Sequence, residues 1–227
     1  MTALVGVLWG CEGGRVRLER RYMAGLWVLA ALVPCGGRQG RRCARAARLL
    51  VRAGVRRMVV NRSFDMAALT QYGLEEVDVG ELYRHMAARL TLTWLERRGM
   101  TAERSTAVLC GSQVSPALSR TAEQLCPCMQ NVIIRAGWGS ERLQSRLYER
   151  YGMAAGPIVR ERCVWVRFDG PDGGEDLYLE GAGLRTGAMT VRGEGVEVPP
   201  GLDADSFLCA LWQAGVIEKG KLRVEEE

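Results

Sequence analysis

Residues 105–152 read STAVLCGSQVSPALSRTAEQLCPCMQNVIIRAGWGSERLQSRLYERYG. Thr106–Cys110 and Asn131–Arg135 are short apolar runs without polar alternation, the pattern of strands covered on both faces. Between them, Ser115-Pro116 supplies a helix start, a hydroxyl to accept a first-turn amide and a proline at the first helical position. Leu118, Ala122 and Leu125 recur at helical spacing, and Pro127 stops the helix. Gly137-Trp138-Gly139-Ser140 turns the chain into a second helix with Leu143, Leu147 and Tyr151 inward, and Gly152 closes it. From Ile158 a third strand is expected. This order predicts three parallel neighbours, with helices over 115–126 and 140–151 as crossovers.

The same grammar runs upstream. Leu26–Val33 reads as a buried strand, Gly36–Gly40 as a glycine turn, and Arg41–Ala53 as a helix with Cys43, Ala46, Ala47 and Leu50 on one face. Gly54 ends that helix and Val55–Asn61 forms the next strand, completing a β-α-β unit. Before it, a strand at 3–9, a turn at Cys11–Gly14 and Val16–Arg20 read as an N-terminal hairpin. Gly80–Arg98 is predicted as one amphipathic helix through Leu82, Met86, Leu90 and Trp94. After residue 160 the pattern changes. Cys163–Phe168 and Asp176–Leu179, flanking a Gly/Asp turn, predict an antiparallel hairpin, and Met189–Val191 with Gly195–Val198 a second. Asp203 caps a helix to Ala214. The expected class is α/β, a Rossmann-like, mostly parallel sheet with helices on both faces, an N-terminal β-hairpin and an antiparallel C-terminal extension. The expected division is a basic α/β unit at 1–79, a second Rossmann-like unit at 80–168, and an acidic hairpin-and-helix extension at 169–227.

The 227 residues are 48% hydrophobic and 25% charged, ordinary for a globular chain, and long enough to bury about 70% of the unfolded surface. No apolar run reaches the roughly 18–20 residues of a membrane span, and no basic region precedes the first apolar stretch, so neither a membrane partner nor a signal peptide is expected. Eight scattered cysteines predict reduced thiols and a cytoplasmic location. The chain is arginine-rich; Lys219 and Lys221 are the sole lysines among 31 basic residues. Charge is uneven. Residues 1–62 hold 13 arginines against Glu12 and Glu19, net +11, and residues 169–227 hold 13 acids against five bases, net −8. Either the basic part meets an anionic partner or the two ends neutralise each other.

Ligands of open parallel sheets bind beyond the carboxyl ends of the strands. Three turns there have the right composition: Gly36-Gly37-Arg38-Gln39-Gly40, Gly111-Ser112, and Gly137 to Ser140. Each precedes a helix whose first amides are unpaired and carry partial positive charge, so a phosphate is the natural guest. Gly36, Gly37, Gly40, Gly111, Ser112, Gly137, Gly139 and Ser140 are therefore candidate ligand-binding residues in a nucleotide-binding edge.

Asn61-Arg62-Ser63, at the end of the strand after the first glycine turn, adds a local likeness. Residues 26–63 resemble the NADP-binding unit of shikimate dehydrogenase-like Rossmann proteins. The resemblance implies NADP as cofactor, Arg62 on its 2′-phosphate, and Asn61 and Ser63 as neighbours in the site. The glycine turn departs from G-x-G-x-x-G, and no family-like Lys/Asp catalytic pair accompanies it.

Arg41, Arg45, Arg48 and Arg52 form a stripe on the helix face opposite the apolar one, an arrangement suited to phosphates or to plain solvation. His85 is the single histidine, so a three-histidine zinc site is excluded, and Cys126-Pro127-Cys128 lacks the second pair a metal site needs; no metal is expected. Cys110 stands at a strand end before a helix, where a thiolate can be stabilised. The leading reading is a non-catalytic Rossmann-like protein that binds a phosphate-bearing small ligand or a protein partner at the strand ends. An NADP-dependent oxidoreductase and a nucleic-acid-associated protein using the arginine helix are the alternatives.

Overall fold

The computed structural model describes residues 5–36, 39–65, 67–153, 160–171, 173–180 and 183–226. The backbone divides into two units, one of Met1–Val79 with Arg192–Arg223, the other of Gly80–Val191 with Val224–Glu227.

The first unit holds β1 (Val5–Cys11), β2 (Arg17–Met23), β3 (Leu26–Pro34), α1 (Gln39–Arg52), β4 (Arg57–Val59), α2 (Ala67–Thr70) and β5 (Glu75–Glu76). Sheet order is β2-β3-β1-β4-β5. β1 lies parallel between β3 and β4, and β5 adds parallel to β4. Val28–Pro34 are all buried, as a strand covered on both faces requires. On one face Leu8, Leu29, Ala31, Val33 and Met58 pack against Cys43, Ala46, Ala47 and Leu50 of α1.

The N-terminal hairpin is present, but displaced by one strand. β2 pairs antiparallel with β3, not with β1. The two-residue link Ala24-Gly25 has positive φ at both positions, 45° and 90°, the twist that suits a tight hairpin; the linker from Cys11 to Arg17 is longer. The edge strand β5 is only two residues long, Glu75–Glu76.

In the second unit α3 (Val79–His85) and α4 (Ala87–Arg97) replace the single helix expected over 80–98. They meet at Met86 (φ −90°, ψ 4°), whose amide is shared by the Leu82 and Tyr83 carbonyls at 3.0 and 3.1 Å. β6 (Thr106–Gln113), α5 (Pro116–Leu125), β7 (Asn131–Trp138), α6 (Ser140–Tyr151), β8 (Cys163–Arg167) and β9 (Leu177–Tyr178) follow. Sheet order is β7-β6-β8-β9, and every pairing is parallel. β6, buried from Thr106 to Cys110, lies between β7 and β8, so the chain leaves it toward β7 on one side and crosses back over it from β7 to β8 on the other.

Three details depart from expectation. The third strand begins at Cys163; Ile158 lies outside the described residues. β8 and β9 are parallel neighbours, not a hairpin, because the Gly/Asp segment between them returns the chain to the start of the sheet instead of reversing it. The antiparallel C-terminal pairing is made elsewhere, between β10 (Met189–Gly193) and β11 (Leu222–Glu226). Residues 195–198 form no strand. The last helix, α7 (Ala204–Gln213), is capped by Asp203, whose carboxylate accepts the Ser206 amide at 2.9 Å. It belongs to the first unit, where the Ser206 hydroxyl accepts the Val60 amide at 3.0 Å.

β7 is an edge strand, and α6 closes it with one side chain. Gln144 Oε1 accepts the Ile134 amide (3.2 Å), and its Nε2 donates to the Val132 carbonyl (3.3 Å), as a neighbouring strand would. Gln144→Leu removes both bonds at a half-buried edge. It should destabilise the fold by about 1–3 kcal/mol, read as a lower urea midpoint; an unchanged midpoint would mean that water serves that edge equally well.

Candidate functional site

In the first unit the carboxyl ends of β1, β3 and β4 are occupied by the protein itself. Asn61 is buried, donating Nδ2–H to the Leu8 carbonyl (2.9 Å) and accepting the Ser63 amide on Oδ1 (3.0 Å). It ties the end of β4 to β1. Arg62 turns toward the C-terminal helix, with Nη2 2.9 Å from Asp203 Oδ2, and its side chain remains 76% exposed. Arg42 folds back from α1 onto the Pro34 and Cys35 carbonyls at 2.9 and 3.1 Å, beside Gly36. Helix α1 begins at Gln39, one residue before Gly40. A cleft of about 360 Å³ opens between α1 and the segment after β4, and it brings Gly40 and Ser63 together with Cys43, Asp65 and Tyr72. Asn61, Arg62 and Gly36 are not on its wall, and Gly37 and Arg38 lie outside the described residues.

The second unit treats its strand ends differently. At the end of β6 the Ser112 amide donates to Asp169 Oδ1, from the turn after β8. Gly111 and Ser112 thus sit at the point where the crossovers diverge, and a carboxylate of the chain already holds the amide. At the end of β7, Gly137, Gly139 and Ser140 line an open cleft of about 1080 Å³, with Val114, Ser115, Ser119, Trp138, Arg142 and Arg146. The α5 start is capped internally: Ser115 Oγ accepts the Leu118 amide at 3.2 Å. No side chain caps α6. Its N-cap is Gly139 at φ 90°, a left-handed conformation that glycine adopts without a steric penalty. Ser140 Oγ donates to the Gly137 carbonyl at 3.2 Å, leaving its lone pairs open. Arg146 is held by Ser119 (2.7 Å) and Glu123 (3.0 Å). Arg142 is exposed and makes no ion pair among the described residues. Trp138 is 83% exposed beside it. Glu141 in the first turn and Glu149 further along α6 are the opposing charges on the wall.

The arginine stripe of α1 is real as geometry. Arg41, Arg45, Arg48 and Arg52 are exposed, with Arg48 5.8 Å from the centre of the Tyr72 ring. His85 is not a free surface side chain: its Nδ1 lies 2.9 Å from Arg120 Nη1. Cys110 is buried, and burial pushes its thiol up to about 11 against the pull of Arg167, so it stands as an inert thiol. No disulfide joins any of the eight cysteines, and five of them are buried. Among the described residues no cluster of three metal-ligating side chains occurs, and no helix is long and apolar enough to cross a membrane.

Sequence reasoning passed over a second cleft in this unit, of about 620 Å³, between the end of α4, the sheet and the segment 173–176. Trp94, Arg98, Arg135 and Trp165 on its wall stand in no motif, since they come from separate elements. One wall residue, Glu175, is almost fully buried and paired to Arg167, whose Nε lies 2.6 Å from Oε1. No known protein family matches the chain, and no curated protein is similar to it in sequence.

Burial alone would raise the Glu175 pKa; the Arg167 hydrogen bond, with the Gly173 amide at 2.7 Å, outweighs it and holds the carboxyl below its ordinary value. Its contribution to stability is therefore complete above the unfolded carboxylate value of about 4.3 and is lost as pH falls through the lower folded value. Glu175→Gln should lower stability at about pH 7 and flatten the loss of stability below about pH 4.3. Parallel acid-unfolding curves for the two proteins would refute this account.

Proposed function

We propose that the protein binds a small phosphate-bearing ligand at the open cleft over the start of α6, as a non-catalytic binding protein. The observation that carries this reading is the first turn of α6, which no side chain caps and which faces an open cleft, while the adjoining start of α5 is capped by Ser115. Unpaired helical amides and the helix dipole favour an anion there. Arg142 adds a guanidinium without a carboxylate partner, and the exposed indole of Trp138 offers a stacking surface for a base or another ring. A nucleotide has both parts. The corresponding cleft of the first unit is less suited, because Asp65 lines it and Arg62 is engaged by Asp203. A cytoplasmic location accords with eight cysteines that form no disulfide.

Inorganic pyrophosphate and a panel of nucleoside phosphates should raise the melting temperature. A ligand at a hundred times its dissociation constant adds about 2.7 kcal/mol. Arg142→Ala should weaken the binding about tenfold, or about 1.4 kcal/mol. Absence of any shift, or a shift indifferent to Arg142, would sink the assignment.

A second reading rests on α1. Its four outward arginines make no ion pair among the described residues, although Glu194, Glu197, Asp203, Asp205 and Glu218 belong to the same unit. We infer a polyanion, nucleic acid by preference, as the partner of this face. Retention on heparin at low salt should fall steeply as salt rises. Replacing Arg41, Arg45 and Arg52 by alanine should flatten that dependence, by about one unit of slope for each phosphate no longer neutralised. Passage through the column unretained would leave the stripe as a solvated helix face.

A further inference from the structure

The cleft between α4, β7, β8 and the segment 173–176 shares no wall residue with the α6 cleft, and its chemistry is different. Two guanidinium groups stand over indoles: Arg98 lies 4.4 Å from the centre of the Trp94 ring, and Arg135 lies 5.2 Å from that of Trp165. The ring attracts each guanidinium without neutralising it, and its N–H groups suit an oxygen acid. Neither arginine forms an ion pair among the described residues. Three carboxylates share the wall: Glu161, Glu175 and Asp176. Glu175 is consumed by Arg167. Asp176 is held in place by the Trp165 amide, which donates to Oδ2 at 2.9 Å, and it has no cationic partner among the described residues. Glu161 is exposed and likewise unpaired among them.

Two unmatched cations and two unmatched carboxylates therefore line one cleft without closing on one another. A ligand of either single charge would meet repulsion from half of them, and a neutral one would leave all four unmatched. The remaining wall is apolar and polarizable, with Trp94 buried, Trp165 half-buried and Met100 beside them. We propose that this cleft binds a small zwitterion, an α-amino acid with an apolar or aromatic side chain. The arginine forks receive the carboxylate, Asp176 and Glu161 receive the ammonium group, and the side chain lies against the indoles. The cleft is within the size range of small-molecule sites. Two arginines already anchored on rings and a carboxylate already oriented reduce the ordering cost of binding.

The test is calorimetric titration of the full chain with L-phenylalanine and L-leucine, beside N-acetyl-L-phenylalanine and L-phenylalanine amide, which lack the ammonium and the carboxylate respectively. The free amino acids should bind, and each capped form should bind at least tenfold more weakly. Arg135→Gln and Asp176→Asn should each weaken L-phenylalanine at least tenfold; Arg135 is exposed, and asparagine keeps the acceptor for the Trp165 amide. Arg142→Ala, in the other cleft, should leave this binding unchanged, so the two assignments fail separately. Equal binding of free and capped forms would overturn the zwitterion, as would no binding of the free amino acids at millimolar concentration. The comparison among ligands needs no variant, so a misfolded substitution does not protect the proposal.

Discussion

Every backbone amide and carbonyl at the carboxyl edge of a parallel sheet needs a partner, and the way this chain supplies those partners governs where anything else can bind. In the first unit Asn61 spans β4 and β1, and Arg42 returns to the carbonyls beyond β3. In the second, Asp169 takes the Ser112 amide at the end of β6 and Ser115 takes the one inside α5. These are the places where a phosphate would sit in an open α/β sheet, and side chains fill them. The α6 turn has no such occupant. Its glycine N-cap has no side-chain oxygen to offer, so those amides must find water or a ligand.

The same logic of satisfaction applies to charge. The sequence sets a basic N-terminal part against an acidic C-terminal part, and the structure joins them in a specific form: Arg62 with Asp203, and Arg57 with the Gln213 side chain. Both bonds hold the returning C-terminal segment on β4, and neither touches the outer face of α1. Neutralisation is therefore local. A general attraction between opposite ends would have scattered partners along the stripe; instead the stripe keeps its charge outward.

Periodicity made the β-α-β grammar legible, because buried parallel strands and one-faced helices leave different spacings in the sequence. Thr106–Cys110 with Asn131–Arg135, the Ser115 and Asp203 caps, and the inward face of α1 were readable for that reason. Strand partnership was not. The composition of Arg17–Met23 suits a partner on either side, and the choice of β3 over β1 rests on the backbone at Ala24-Gly25, a residue pair with no strong turn signature in its first member. The parallel β8–β9 pairing depends on where a glycine-rich segment leads, which local chemistry does not encode. Of the candidate residues, Gly137, Gly139 and Ser140 share a wall, as do Gly40 and Ser63. Arg62 illustrates the general obstacle: the partner that turns it lies far along the chain in Asp203. The indole-and-arginine cleft is the extreme case, since its wall exists only after four elements have folded.

Arginine itself explains why one residue type gives such different surroundings. In the buried pair, Arg167 lies against Glu175 with its charge cancelled, and removal of either partner would leave the other stranded in a poorly solvated place. On α6, Arg146 bridges to Ser119 and Glu123 and serves the packing of two helices. On Trp94 and Trp165 the guanidinium is oriented by a ring, which offers attraction without neutralising the charge. Only this last arrangement combines a fixed fork with an undiminished positive charge. A carboxylate partner would have satisfied the arginine and closed the cleft; an indole holds it open. The presence of two such pairs, with Asp176 fixed opposite by a backbone amide, places complementary charges at positions the protein does not let collapse, and that is the physical condition for recognising a molecule that carries both signs.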